Sequence, residues 1–199
     1  MSGTFPTDPA PATVTLNGLQ PTIVRIAESG KRQSRIGGGH LWKAKFSWSR
    51  MTRDMLAPIF AFANLQRGRF GSFQIVLPNY AVPNGVATGS PQVLAGTKGS
   101  TFAYTSGWTS NITGILKAGD VIKFANHSKV YMVNADVDSD GSGNGTVLVT
   151  PPLIESLVYG QVVTVNDVEF TMSLDDDVLD WKGSAPNMAI ISLGMTESL

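Results

Sequence analysis

The sequence predicts a mainly β protein with one helix, an α+β fold: an antiparallel sandwich or barrel flanked by the helix, with a small β-barrel inserted. Three observations predict it. Trp42, Ala44, Phe46 and Trp48 alternate with Lys43, Lys45 and Ser47, which gives a strand one apolar and one basic face. Met55, Leu56, Ile59, Phe60 and Ala63 then recur at helical spacing. Between Phe102 and Val149 several short apolar runs are separated by turn residues, the pattern of a compact barrel or sandwich. With 199 residues, 42% hydrophobic, the chain is long enough for a substantial core. Its 21 Gly and 11 Pro favour strands and turns over helices.

In chain order, Met1 to Pro11 reads as an extended, poorly anchored arm without a signal-peptide core. Ala12, Val14 and Leu16 alternate with Thr13 and Thr15 as a first strand. Asn17-Gly18 signals a hairpin turn, and Thr22 to Ala27 the returning strand. Ser29 to Gly39 is basic and glycine-rich, a long exposed connection or the wet end of a hairpin. It does not suit a phosphate loop, because Gly37-Gly38-Gly39 opens a strand rather than a helix.

After the Trp42–Trp48 strand, Thr52 offers a hydroxyl to cap a helix. Pro58 argues for a later start near Ala57, which would put the proline in the first turn. Gly68 suits the left-handed residue that closes a helix. Phe73, Ile75 and Leu77 form the next strand, which Pro78 stops.

From Pro78 to about Ser100 the chain is polar and turn-rich and carries no expected core element. Strands follow at 121–124, 129–133 and 146–149. The connection Asp136-x-Asp138-x-Asp140-Gly141 matches the first half of a calcium loop. Val147 stands where a bidentate Glu belongs, so the stretch reads as a solvated hairpin tip and no metal is assigned. The chain is expected back in the main sheet from about Gly160. It runs through Val168, Phe170, Met172 and Leu174 to a closing strand at Ala189, Ile191, Leu193 and Met195.

Net charge is zero but segregated. Up to Val76 there are ten basic and three acidic residues, net +7; from Leu77 on there are five and twelve, net −7. Such a split fits a nucleic-acid surface, complementary faces between identical subunits, or ordinary solvated faces. No cysteine is present, which removes disulfides and thiolate zinc sites. His40 and His127 read as surface residues, and no Gly-x-Ser-x-Gly or His-Glu-x-x-His pattern occurs. No catalytic residue, cofactor or enzymatic activity is therefore assigned. No window approaches a membrane span.

Lys31-Arg32-Gln33-Ser34-Arg35, Gly37 to Trp42, the strand to Trp48, Met51-Thr52-Arg53 and Ala57 to Phe62 together resemble minor tail proteins of long-tailed bacteriophages. The nearest resemblance is to the distal tail protein. Gly114 to Lys123 resembles small β-barrel modules that such proteins carry. The resemblance implies a tail-tube-like ring domain at 1–78 and 159–199, with an insert at 79–158 on the outer rim. It implies a structural virion protein, made in the bacterial host cytoplasm and placed in the tail. Six copies would form a ring joining the tail tube to the tip or baseplate, around DNA that passes without sequence recognition. Its partners would be further copies, the tail tube protein and tip hub or fibre proteins, with no membrane insertion. Lys31, Arg32, Arg35, Lys43, Lys45, Asp175, Asp176 and Asp177 become candidates for subunit interface or lumen. A tail tube or terminator protein is a neighbouring reading. So is a host-surface carbohydrate or receptor module using Tyr104, Trp108 and Tyr131 as exposed aromatics.

Overall fold

The computed structural model describes residues 3–184 and 187–199. Its elements in chain order are β1 (Thr13–Leu19), β2 (Thr22–Ile26), β3 (Arg32–Ile36), β4 (Leu41–Ser47), β5 (Met51–Thr52), α1 (Arg53–Leu65) and β6 (Ser72–Val76). There follow β7 (Gly89–Ala95), β8 (Phe102–Trp108), β9 (Val121–Phe124), β10 (Val130–Val133), β11 (Gly145–Thr150) and β12 (Val163–Thr164). The last are β13 (Glu169–Leu174), β14 (Lys182–Ser184), β15 (Met188–Ile190) and β16 (Ser192–Glu197). The chain is mostly strand with a single α-helix among the described residues, an α+β fold as the sequence predicts. It divides into two compact units, one of residues 1–73 and 172–198 and one of residues 74–171.

In the first unit the strand with the clearest alternation is β4. It pairs antiparallel with β1 on one side and β16 on the other, in a sheet ordered β1-β4-β16-β13-β6. The alternation read from the sequence sets its two faces: Trp42, Ala44, Phe46 and Trp48 are buried, and Lys45 is exposed. Helix α1 buries Leu56, Ile59 and Ala63, and its Phe62 meets Phe73 of β6 edge-on at 5.4 Å. The helix thus covers the apolar face of the sheet.

Several expectations change here. Asn17-Gly18 is not a turn: β1 runs through it to Leu19, opposite β4, and the pairing continues past Pro21 into β2 and β3. The chain reverses only at Ala27 to Lys31, where Ala27 N donates to Lys31 O at 3.0 Å. Gly18 serves close approach instead, since a Cβ there would lie 2.8 Å from His40 Nε2. Strand β2 pairs with β3, so the basic segment is one arm of a two-stranded ribbon. The N-terminal arm is anchored: Phe5 is 4% exposed, stacked on Trp48 and edge-on to Phe46, and the Trp48 indole donates to Pro9 O at 2.8 Å.

Helix α1 begins at Arg53 and keeps Pro58 inside, so the later start near Ala57 is not used. Thr52 is extended, as a cap residue should be, but its hydroxyl makes no capping bond. Strand pairing explains both facts. Met51 and Thr52 are held opposite Ala189 and Met188, and the Arg53 N–H donates to Asn187 O at 3.1 Å. Those tertiary bonds fix where the helix starts, whereas Pro58 leaves only one helical N–H bond unmade. At the other end Arg67 is the first left-handed residue and Gly68 the second. The closing strand is split: β15 pairs with β5, β16 with β4, and the buried Ile191 between them accepts from Trp48 N.

The second unit is a six-stranded antiparallel sheet ordered β12-β9-β10-β11-β8-β7. It curls until its ends nearly meet: Val93 N donates to Gln161 O at 2.8 Å and Gly160 N to Val93 O at 2.9 Å. The polar segment after Pro78 therefore contains an essential strand, β7, in which Val93 is buried and whose alternation is hidden among Gly, Ser and Pro. Likewise, the run after Gly160 first pairs with β9 as β12 before the chain enters β13. Val93, Ala103, Trp108, Ile122, Phe124, Tyr131, Val147, Val149 and Val163 fill the interior.

Buried polar groups tie this interior to its loops. The Asp120 carboxylate, 2% exposed, accepts from Asn84 N, Gly85 N and Lys117 N at 2.7, 3.1 and 2.7 Å, and so pins the 84–85 segment. Both histidines are buried, contrary to the surface reading. His40 packs against Trp42 with ring centres 4.4 Å apart, and His127 Nδ1 lies 2.7 Å from the Tyr131 hydroxyl. The Tyr131 oxygen also accepts from Ile154 N at 3.2 Å. Burial pushes the His127 pKa below its ordinary value, opposed by the nearby Glu155 charge and a bond at Ser156.

Candidate assembly surface

The first unit gathers only some of the candidate residues on one face. Lys43 and Lys45 project from the polar side of β4, where they lie opposite Thr196 and Gly194 of β16. On the next strand Ser173 lies opposite Thr196, and Asp175 N donates to Gly194 O at 3.0 Å. Directly opposed residues share a face, so Lys43, Lys45 and Asp175 occupy one polar surface three strands wide. The Asp175 carboxylate there accepts a short bond from the Thr196 hydroxyl.

Asp177 is engaged elsewhere. Its carboxylate takes the Arg69 guanidinium through two bonds, 3.2 Å from Nε and 2.8 Å from Nη2, and also accepts from Arg69 N at 3.0 Å. The fork geometry holds Asp177 below the usual carboxylate pKa and raises that of Arg69. Gly68 makes room for this contact, since a Cβ there would lie 2.5 Å from Asp177 Oδ1. The three consecutive acids therefore diverge: Asp175 faces the sheet, Asp177 clamps the turn after α1, and Asp176 stays exposed. Arg69 was not among the sequence candidates; its distance of 108 residues from Asp177 leaves no local signal.

Lys31, Arg32 and Arg35 belong to the β2–β3 ribbon, every residue of which is exposed. Ile23, Arg25, Gln33, Ser34 and Arg35 line an open groove of about 440 Å³ on it. The sequence reading also passed over the ribbon's exposed Ile23, Val24, Ile26 and Ile36. The alternation of Thr22 to Ile26 was the available sign.

In the second unit the proposed exposed aromatics separate. Trp108 is 4% exposed and donates its indole N–H to Thr105 Oγ1, and Tyr131 is fully buried; both are core residues. Tyr104 alone of the three is at the surface, beside Phe102 at the neighbouring outward position of β8. At the acidic hairpin tip the carboxylates bind their own chain. Asp136 pairs with Lys117 Nζ at 2.8 Å, Asp138 accepts from Gly114 N, and Asp140 accepts from Ser142 N and Asn144 N. Among the described residues no group of three or more acids or histidines is arranged to hold a metal ion.

Residues 80–158, which comprise nearly all of the six-stranded sheet, match the family model of the B domain of distal tail protein pb9. The segment belongs to a phage distal tail family. No curated protein matches the chain. The match over this segment supports a structural role in a phage tail, in the company of other tail proteins. Among the described residues, no helix is long and apolar enough to cross a membrane.

Proposed function

We propose that this distal tail protein forms the ring that joins the tail tube to the tip, six copies enclosing the channel through which DNA passes. Residues 1–78 and 159–199 build the ring and 79–158 are an inserted module. The observation that carries this reading is the β2–β3 ribbon. Its backbone is bonded only strand to strand, and both faces lie in water, although it bears four exposed aliphatic side chains. The ribbon runs on from the β1–β4 pair and projects past the sheet with two strands only, an arrangement of marginal stability in water that a neighbour would order. The polar sheet face of Lys43, Lys45 and Asp175 supplies a second surface of mixed charge for the interface or the lumen. Light scattering and negative-stain class averages of the purified chain test the proposal. Open six-fold rings, or incorporation at the tube–tip junction, are expected; a protein absent from that junction overturns it.

A second reading has one observation in its favour. Phe102 and Tyr104 are both about half exposed, two residues apart on β8, where an aromatic pair offers a stacking surface to a sugar ring. Loss of binding to host-surface glycans in Tyr104→Ala, with unchanged assembly, would assign the insert to attachment.

A further inference from the structure

The ribbon has two unlike faces. Opposed residues of β2 and β3 point the same way, and pairing sets Thr22 opposite Ile36, Val24 opposite Ser34 and Ile26 opposite Arg32. One face therefore presents Val24, Ile26 and Ile36, with Arg32 at its tip; Ile26 is 72% exposed and Ile36 69%. The other face, with Arg25 and Arg35, is basic. From Thr22 to Ile36 the element carries four bases and one acid, Glu28. Among the described residues none of Arg25, Lys31, Arg32 and Arg35 forms an ion pair.

The opposite combination occurs on the same chain between β13 and β14. There Asp176, Val178 and Asp180 are exposed, Val178 by 76%. This loop is fixed in place rather than left to drift. Asp177 is held by the Arg69 fork on one side, and Asp175 by Thr196 and Gly194 on the other. The anchored residues turn their carboxylates toward their own chain, which leaves Asp176, Val178 and Asp180 as an acidic rim around an aliphatic knob.

We propose that the ribbon of one copy docks on the 176–180 loop of the next, resting on the ring reading given above. Val24, Ile26 and Ile36 cover Val178, and Lys31 and Arg32 meet Asp176 and Asp180. The apolar contact supplies affinity, and the charges supply register and exclude ribbon-to-ribbon pairing. Because the two patches differ, the contact is head to tail, which closes into a ring when the rotation between copies allows it. It also accounts for a chain that is neutral as a whole yet strongly divided in charge.

Charge reversal in the full-length protein tests the contact. Lys31→Glu with Arg32→Glu makes one variant, Asp176→Lys with Asp180→Lys the other. Each is expected to associate roughly tenfold or more weakly than wild type in sedimentation velocity at low salt. Mixing the two should restore assembly, since each then offers the surface that the other needs. All four side chains are at the surface, so unchanged circular dichroism and unfolding temperature confirm that the variants fold. If either variant assembles as wild type, or the mixture fails to recover, the docking is wrong. Rings that persist in both variants would overturn this contact and leave the ring reading standing. A wild type that never self-associates would overturn the contact too, and the ring reading is then decided by the protein's presence at the tube–tip junction.

Discussion

The six-stranded barrel and the β2–β3 ribbon are built from the same kind of strand, short and alternating, yet they meet opposite ends. In the barrel every strand finds a neighbour on each side, because β7 and the residues before β12 bond across the last gap. Its inward side chains fill one interior, and the buried Asp120 carboxylate and Tyr131 hydroxyl find partners within it. In the ribbon the backbone pairs once, and Val24, Ile26 and Ile36 cover nothing. Alternation alone thus defines which side chains share a face, not whether that face is covered by its own chain. Closure leaves no strand edge open, whereas the ribbon keeps both its outer edges and its aliphatic side chains exposed.

The largest expected effect breaks the barrel. Phe124→Ala removes a fully buried ring that touches Tyr131 and His127, and a loss of about 3–5 kcal/mol in chemical denaturation is expected. Next, Asp120→Ala strips the acceptor from three backbone N–H groups at once. A loss of roughly 2–4 kcal/mol is expected, with faster amide exchange at Asn84 and Gly85 as its local signature.

A pH titration sharpens the same point. His127 is a base whose folded pKa is lowered by burial, so the unfolded chain binds its proton first. Its contribution is fully present above its ordinary value near 6.5 and is lost as pH falls through the lower folded value. Unfolding temperature should therefore fall between about pH 7 and 5, and less so in His127→Gln. Asp136, Asp140 and Asp177, all with lowered pKa values, act in a separate window. Their stability is present above about pH 4 and lost below it.

The smallest effect on the isolated chain should come from the ribbon. Val24→Ser, Ile26→Ser and Ile36→Ser together are expected to leave the unfolding temperature of the unassembled protein almost unchanged, while abolishing assembly. A large drop in that temperature would show that the ribbon face is already used within the chain, and the contrast with the barrel would fail.

The sequence was legible where period and burial agree. Trp42 to Trp48, the Leu56–Ile59–Ala63 stripe and the strands around Phe124, Tyr131 and Val147 could be read directly, because one local pattern determines one face. It was misleading where a residue has two uses. Gly18 serves close packing under His40 rather than a turn, and Tyr131 and Trp108 spend their polar atoms inside the core. Histidine carries no local mark of burial, so His40 and His127 looked like surface residues until their ring neighbours were known. Of the candidate assembly surface, the basic ribbon and the acidic run were visible as composition. The Arg69 fork, which sorts three adjacent aspartates into different tasks, depends on a contact across 108 residues.

Strands β6 and β13, through which the chain leaves for the six-stranded sheet and comes back, are immediate neighbours in the five-stranded one. The two crossing points are separated by one strand spacing, about 4.8 Å. Anything whose own ends lie that close can be spliced between them without rerouting the host, and the gap to be closed stays the same whatever the length of the cargo. A sheet that is left and re-entered at adjacent strands keeps the pairing of its remaining strands whatever lies between those two points.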